Sequence, residues 1–231
     1  MLMTTYVDTA TRPSAKPLYV VSDLARLSQA APGKVKRWLC GYSAAGREYD
    51  AFLRAPELDS RGKRVFTFEN LIEVSLVSAL RRNTNLSLDR IKGAYRNAEA
   101  EFGPYPFARR RVFVSGSDIF MHASEYVEGE VEHLTALTRG SQRASERVLE
   151  QYLTHIDWVD EWPAEWHPVP RVRLNPEIAF GQPNVSGIRT ETLGSRFLAG
   201  EPMEFIAEDF ALSLDEVEAA VRYELLLEKA A

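Results

Sequence analysis

Three cations, Lys34, Lys36 and Arg37, fall within four positions around the apolar Val35, Trp38 and Leu39. On a helix this spacing turns Val35, Trp38 and Leu39 toward a core and the cations outward, where Lys and Arg can reach phosphates and guanine edges in a major groove. Arg61, Lys63 and Arg64 form a second basic cluster, and Arg81 with Arg82 add two weaker phosphate candidates. No comparable catalytic set stands out. There is no Ser/His/Asp order and no paired-carboxylate arrangement, and His122, His133, His155 and His167 lack metal-ligand spacing. The single cysteine, Cys40, excludes an intramolecular disulfide and a Cys-built zinc site. Glu125, Glu128, Glu130 and Glu132 with His133 read as a solvated acidic face. The segment from Phe180 to Thr190 carries Gly181 and Gly187 but neither the lysine nor the glycine spacing of a phosphate loop, so its glycines and Pro183 are read as fixing turns. The residues therefore suit a binding protein, not an enzyme, with no metal or cofactor expected.

The charge distribution divides the chain. Residues 1–111 carry 19 basic and 11 acidic side chains, and residues 112–231 carry 9 and 22. A basic front half can meet nucleic acid, which should repel the acidic back half. Trp158, Trp162 and Trp166 lie among Asp157, Asp160, Glu161 and Glu165. With Tyr152 these tryptophans are expected to pack in a core between the middle strands and the tail ahead of stacking on bases. Aromatic and acidic residues together also suit docking to a basic protein, as do the exposed acids expected at Glu216 and Glu218. Hydrophobic residues at 45% and charged residues at 26% fit a folded globular chain. No apolar run approaches the roughly 18 residues that span a bilayer, and the first twenty residues do not read as a signal peptide. The expectation is a cytoplasmic protein that does not engage membranes.

The elements that must hold these residues are mainly helical. Residues 1–17 read as a mobile arm. Ser22 precedes an apolar stripe at Leu24, Ala25 and Leu27, and Pro32 can open a helix running to about Gly41. Residues 42–64 read as loop, and 65–67 as a short strand. Helices are expected over about 68–82 and 88–102, the second capped by Ser87. Gly103-Pro104-Tyr105-Pro106 marks a domain edge. Beyond it come a hairpin around 115–118, a helix near 142–153, and short strands at 156–158 and 165–167 about a turn at 161–164. Three helices follow, over 192–199, 203–210 and 214–228, with Ser213 capping the last. Ala25 and Val35 stand ten apart, a small residue at a helix crossing and an apolar anchor. Ala207 and Val217 repeat that register, with Asp215, Glu216, Glu218 and Glu224 expected on the exposed face in place of cations. The fold class is mainly α with small β elements (α+β). The three expected parts are an N-terminal winged helix-turn-helix (18–104), a short β/α connecting region (105–170) and a C-terminal three-helix unit (171–231).

Two resemblances rest on particular stretches. Gly62-Lys63-Arg64-Val65-Phe66-Thr67-Phe68-Glu69-Asn70-Leu71-Ile72-Glu73 resembles the wing and following helix of MerR-like winged helix-turn-helix domains. Leu80-Arg81-Arg82 with Leu86-Ser87-Leu88-Asp89-Arg90-Ile91 resembles that family's next helix pair, although residues 42–60 are longer than the linker usual there. Asn175-Pro176, Phe180-Gly181-Gln182-Pro183-Asn184-Val185-Ser186-Gly187-Ile188-Arg189-Thr190, the run 198–210 and the run 212–220 resemble domain of unknown function 433. A head and tail so joined look like the antitoxin of one VapBC-type toxin–antitoxin class. The resemblance implies autorepression through double-stranded operator DNA, inhibition of a PIN-like ribonuclease toxin, and a homodimer. In that reading Lys34, Lys36 and Arg37 enter the major groove, and Arg61, Lys63 and Arg64 act from the wing. The alternative is a ligand-responsive MerR-like regulator without a toxin partner, in which Trp158, Trp162 and Trp166 could line a pocket.

Overall fold

The computed structural model describes residues 12–58, 61–110, 112 and 146–230. The expected hairpin around 115–118 and the acidic run 125–133 lie outside them. Helices dominate, with small antiparallel sheets between them. The front half begins with β1 (Pro17–Tyr19), α1 (Val21–Ser28) and α2 (Pro32–Cys40). A hairpin follows, β2 (Tyr42–Ala44) and β3 (Arg47–Tyr49), and β4 (Phe66–Thr67) returns to pair with β1. Residues 42–49 are thus not the loop expected from sequence.

The centre of the molecule is α3 (Phe68–Asn83), whose residues from Phe68 to Leu80 are all buried. A helix buried on every side belongs to the core, so its polar residues Glu69, Asn70, Glu73, Ser75 and Ser78 need partners. Thr67 and Asn70 cap it reciprocally, and Asn70 Nδ2 donates to the Arg54 carbonyl at 2.7 Å. The Glu69 carboxylate accepts from Arg12 at 3.1 Å and Ser14 at 2.9 Å. Residues 12–17, expected in the arm, are therefore packed on the core. Glu73 accepts the Phe107 N–H at 3.2 Å, and burial holds its carboxyl well above the usual carboxylate range. Next, α4 (Leu88–Phe102) starts as expected at Ser87, whose hydroxyl accepts the Arg90 N–H.

In the back half, residues 146–155 are helical (α5). Five strands then form an antiparallel meander in chain order: β5 (Ile156–Val159), β6 (Trp162–Val169), β7 (Val172–Leu174), β8 (Asn184–Val185) and β9 (Ile188–Arg189). The β5–β6 turn is at Asp160 and Glu161, so Trp162 opens a strand where a turn was expected. Three helices close the chain: α6 (Thr190–Leu198), α7 (Met203–Phe210) and α8 (Leu214–Ala230).

The pair α7–α8 repeats α1–α2 at an offset of 182 residues: Val21 to Met203, Ser28 to Phe210, Pro32 to Leu214. Both first helices end in the same left-handed turn, Gln29 at φ 53° and Ala211 at φ 52°. In each, the following N–H closes a six-residue ring, Ala30 to the Ala25 carbonyl and Leu212 to that of Ala207. Ala25, Val35, Ala207 and Val217 are buried at the two crossings.

One continuous core runs from Tyr19 to Leu227. The Tyr19 hydroxyl donates to the Gly181 carbonyl at 2.7 Å, and a Cβ at Gly181 would collide with that hydroxyl. Arg26 of α1 pairs with Glu224 of α8 at 2.9 Å, and Thr190 also donates to Glu224. Glu224 is therefore buried and not, as expected, on the exposed acidic face of the last helix.

Candidate nucleic-acid interface

Residue spacing on α2 settles its orientation. Val35, Trp38 and Leu39 are buried, with α2 packed on α1, while Lys34, Lys36 and Arg37 are exposed. Pro32 sits in the first turn, where its missing N–H removes no hydrogen bond. Gly41 ends the helix at φ 70°, and a Cβ there would meet the Tyr49 carbonyl. That close approach lets the chain reverse directly into the β2–β3 hairpin.

Every residue of the two hairpin strands is exposed. Ala45 and Gly46 both have positive φ, the two-residue turn that matches strand twist. Without a core face, its stiffness comes from side chains across the strands. Tyr42 and Tyr49 stack with centroids 4.6 Å apart, and Ser43 bonds Glu48. The Arg37 guanidinium lies 5.3 Å from the Tyr42 ring centre, tying the hairpin to α2. Arg47 is exposed near the hairpin's tip.

Between α2, the end of α3 and the start of α4 lies a groove of about 480 Å³. Lys34, Arg37, Arg81, Arg82 and Lys92 line it, over aromatic surface from Trp38, Tyr42 and Phe52. Four of the eight cations picked from sequence are thus brought together. Lys36 lies outside the groove on the same exposed helix. Arg81 and Arg82 are partly committed: Arg81 donates to the Leu86 carbonyl, and Arg82 to the Gln29 side chain at 2.7 Å.

Arg61, Lys63 and Arg64 stand elsewhere than expected. They belong to the segment leading to β4, not to a hairpin, and Arg64 Nη1 lies 3.4 Å from Cys40 Sγ at the end of α2. The hairpin that follows α2 is 42–49, and its cation is Arg47. Two signals could have found it: Ala45-Gly46 as a turn, and the tyrosines symmetric about it. Lys92, one helical turn after Leu88, was also missed.

The acidic half resolves differently. Trp166 is only 7% exposed and stacks on Tyr152, with ring centres 6.0 Å apart, so it is core and not a docking anchor. Trp162 is held between two guanidinium groups, Arg12 at 3.7 Å and Arg109 at 4.3 Å. It borders a cavity of about 580 Å³ that neither Trp158 nor Trp166 reaches. The Trp158 indole N–H points to the Leu153 carbonyl at 3.4 Å. Glu216 serves α8 itself, accepting from the Ser213 N–H at 2.8 Å, the Ser213 hydroxyl at 2.7 Å and the Ser186 hydroxyl at 2.6 Å. Those donors lower its carboxyl to about 2. Glu218 pairs with Arg222. Asp157, Glu165 and His167 bring possible ligand atoms within 4.8 Å of one another across β5–β6. Glu165 already meets Asn175 at 3.0 Å and Arg173 at 3.8 Å.

Comparison with known proteins places this arrangement in a shared fold. The chain is 27% identical over 218 residues to Uncharacterized protein Rv2308 of Mycobacterium tuberculosis (strain ATCC 25618 / H37Rv), with 90% of each chain covered. The fold is similar to the crystal structure of Rv2018 from Mycobacterium tuberculosis, with a TM-score of 0.66 and 19% sequence identity. That match covers 89% of this chain and 98% of the other. No family model matches the chain. No helix among the described residues is long and apolar enough to cross a membrane.

Proposed function

We propose that this chain is the DNA-binding antitoxin of a type II toxin–antitoxin pair. In this reading α1–α2 and the β2–β3 hairpin act as a winged helix-turn-helix on operator DNA. The observation that carries the reading is the exposed face of Lys34, Lys36 and Arg37, set between a projecting hairpin and a groove that adds Arg81, Arg82 and Lys92. With α2 in the major groove, Lys34, Lys36 and Arg37 face base edges and phosphates. Arg47 reaches the backbone or minor groove from the hairpin, and the basic groove lies along the adjacent strand. Arg61, Lys63 and Arg64, near the end of α2, then contact flanking phosphates.

The second helix pair repeats the geometry without the charge. At the offset of 182, Glu216 stands for Lys34, Glu218 for Lys36 and Ala219 for Arg37. Phosphate would repel that face, so it is assigned to protein contacts. Resemblance of residues 171–231 and the acidic balance of the back half support a PIN-like ribonuclease as a partner neutralised by the back half. A homodimer would present two α2 helices to half-sites about one helical turn apart. Footprinting on the gene's upstream DNA tests this: two protected half-sites at that spacing are expected, and uniform or absent protection overturns it. The toxin half is tested by adding the full chain to the ribonuclease encoded beside it, where loss of RNA cleavage is expected.

The cavity at Trp162 favours the second reading, a ligand-responsive regulator. Its lining joins Arg12 and Arg109, paired with Glu69 and Glu161, and the carboxylates of Asp160 and Glu177 to Val159, Pro163 and Ala164, a mixed polar and apolar surface of small-molecule size. Operator affinity that changes with a small metabolite, with no adjacent ribonuclease, would favour this reading.

A further inference from the structure

One ridge of α8 runs Leu214, Glu218, Arg222 and Leu226, each four residues after the last. Leu214 and Leu226 are each 46% exposed. Glu218 and Arg222 pair along the helix, yet their side chains keep 42% and 76% of their exposure. The rest of α8 is well packed, with Val217, Ala220, Val221, Tyr223 and Leu227 buried. Beside the ridge a groove of about 380 Å³ is lined by Val169, Pro170, Ala219 and Tyr223. Its rim carries the Arg171–Asp215 pair at 2.9 Å.

The order of the ridge is self-complementary. Reversed, it again reads apolar, charged, charged, apolar, with the two signs exchanged. An antiparallel copy therefore sets Leu214 against Leu226 and Glu218 against Arg222, twice over. A parallel copy sets like charge against like charge. Half-buried Ala219 beside the midpoint adds no bulk to hold two helices apart.

We propose that this ridge of α8 is a homodimer surface, packing antiparallel on the same ridge of a second copy of the chain. The two-fold arrangement is isologous: each contact is made twice by the same pair of positions. Exposed ion pairs contribute little attraction, so the four leucines supply the affinity, and the charges fix the direction. The surface lies on the acidic helix pair, and the pairing does not depend on the DNA reading.

Sedimentation of the full chain over a wide concentration range tests it without DNA. Wild type is expected to move from monomer to dimer mass. Glu218→Arg alone and Arg222→Glu alone each oppose like charges and are expected to stay monomeric. Mixed in equal amounts they are expected to dimerise, because each supplies the sign the other lacks. Leu226→Asp is expected to stay monomeric with an unchanged circular dichroism spectrum. A wild type monomeric throughout, single variants that dimerise like wild type, or a mixture no heavier than its components would each overturn the pairing.

Discussion

At the residue scale, the same side-chain types divide into free and committed groups, and the division follows from neighbours. Lys34, Lys36 and Arg37 are exposed because their helix spends its other face on Val35, Trp38 and Leu39. Glu216 is spent on capping. Its carboxyl is depressed to about 2 by the Ser186 and Ser213 donors, so its stabilisation is full above the unfolded value of about 4.3 and is lost as pH falls toward about 2. Glu216→Ala should cost about 1 kcal/mol at neutral pH. Urea unfolding of both proteins should show that difference shrinking over the acid window. A difference independent of pH would contradict the capping role.

At the element scale, the helix pairs were legible because their signals are local. Ala25 and Val35, like Ala207 and Val217, announce a crossing, and Pro32, Ser87 and Ser213 announce starts. The hairpin at 42–49 was missed, since a strand pair with no buried face shows no apolar alternation and leaves only its turn and flanking tyrosines as signals. Trp166 allowed two readings, core and docking surface, because its neighbours are acidic; β6 turns it against Tyr152, so the core reading holds. The turn residues carry a prediction of their own. Ala211 holds a left-handed conformation that glycine adopts without a Cβ penalty. Ala211→Gly should raise stability by about 0.5–1 kcal/mol, a gain of roughly 1–4 °C in Tm for a chain this size. A lowered Tm in a thermal scan would show that the turn is not what limits the second helix pair.

At the scale of the whole molecule, two helix pairs of one geometry and opposite charge are fastened to a common core. Gly181 meets Tyr19 across 162 positions of sequence, and Glu224 joins Arg26 to Thr190. Nothing in local sequence signals such contacts, which explains why the glycine-punctuated stretch 181–187 could be read only as turns. Gly181→Ala adds a methyl against the Tyr19 hydroxyl at a positive φ, and should cost about 2–3 kcal/mol. Chemical denaturation should show the loss as one cooperative transition sensed alike by fluorescence and circular dichroism. An unchanged midpoint would mean the two halves do not depend on that contact.

The central claim is that α2 reads DNA. Fluorescence anisotropy on the gene's own upstream DNA tests it most directly, comparing wild type with the Lys34/Lys36/Arg37→Ala variant at two salt concentrations. Wild type should prefer this DNA to random sequence and weaken steeply with salt. The variant should lose the preference, with a salt slope lower by about 0.9 for each phosphate contact removed. A variant that binds as tightly and selectively as wild type would contradict the account.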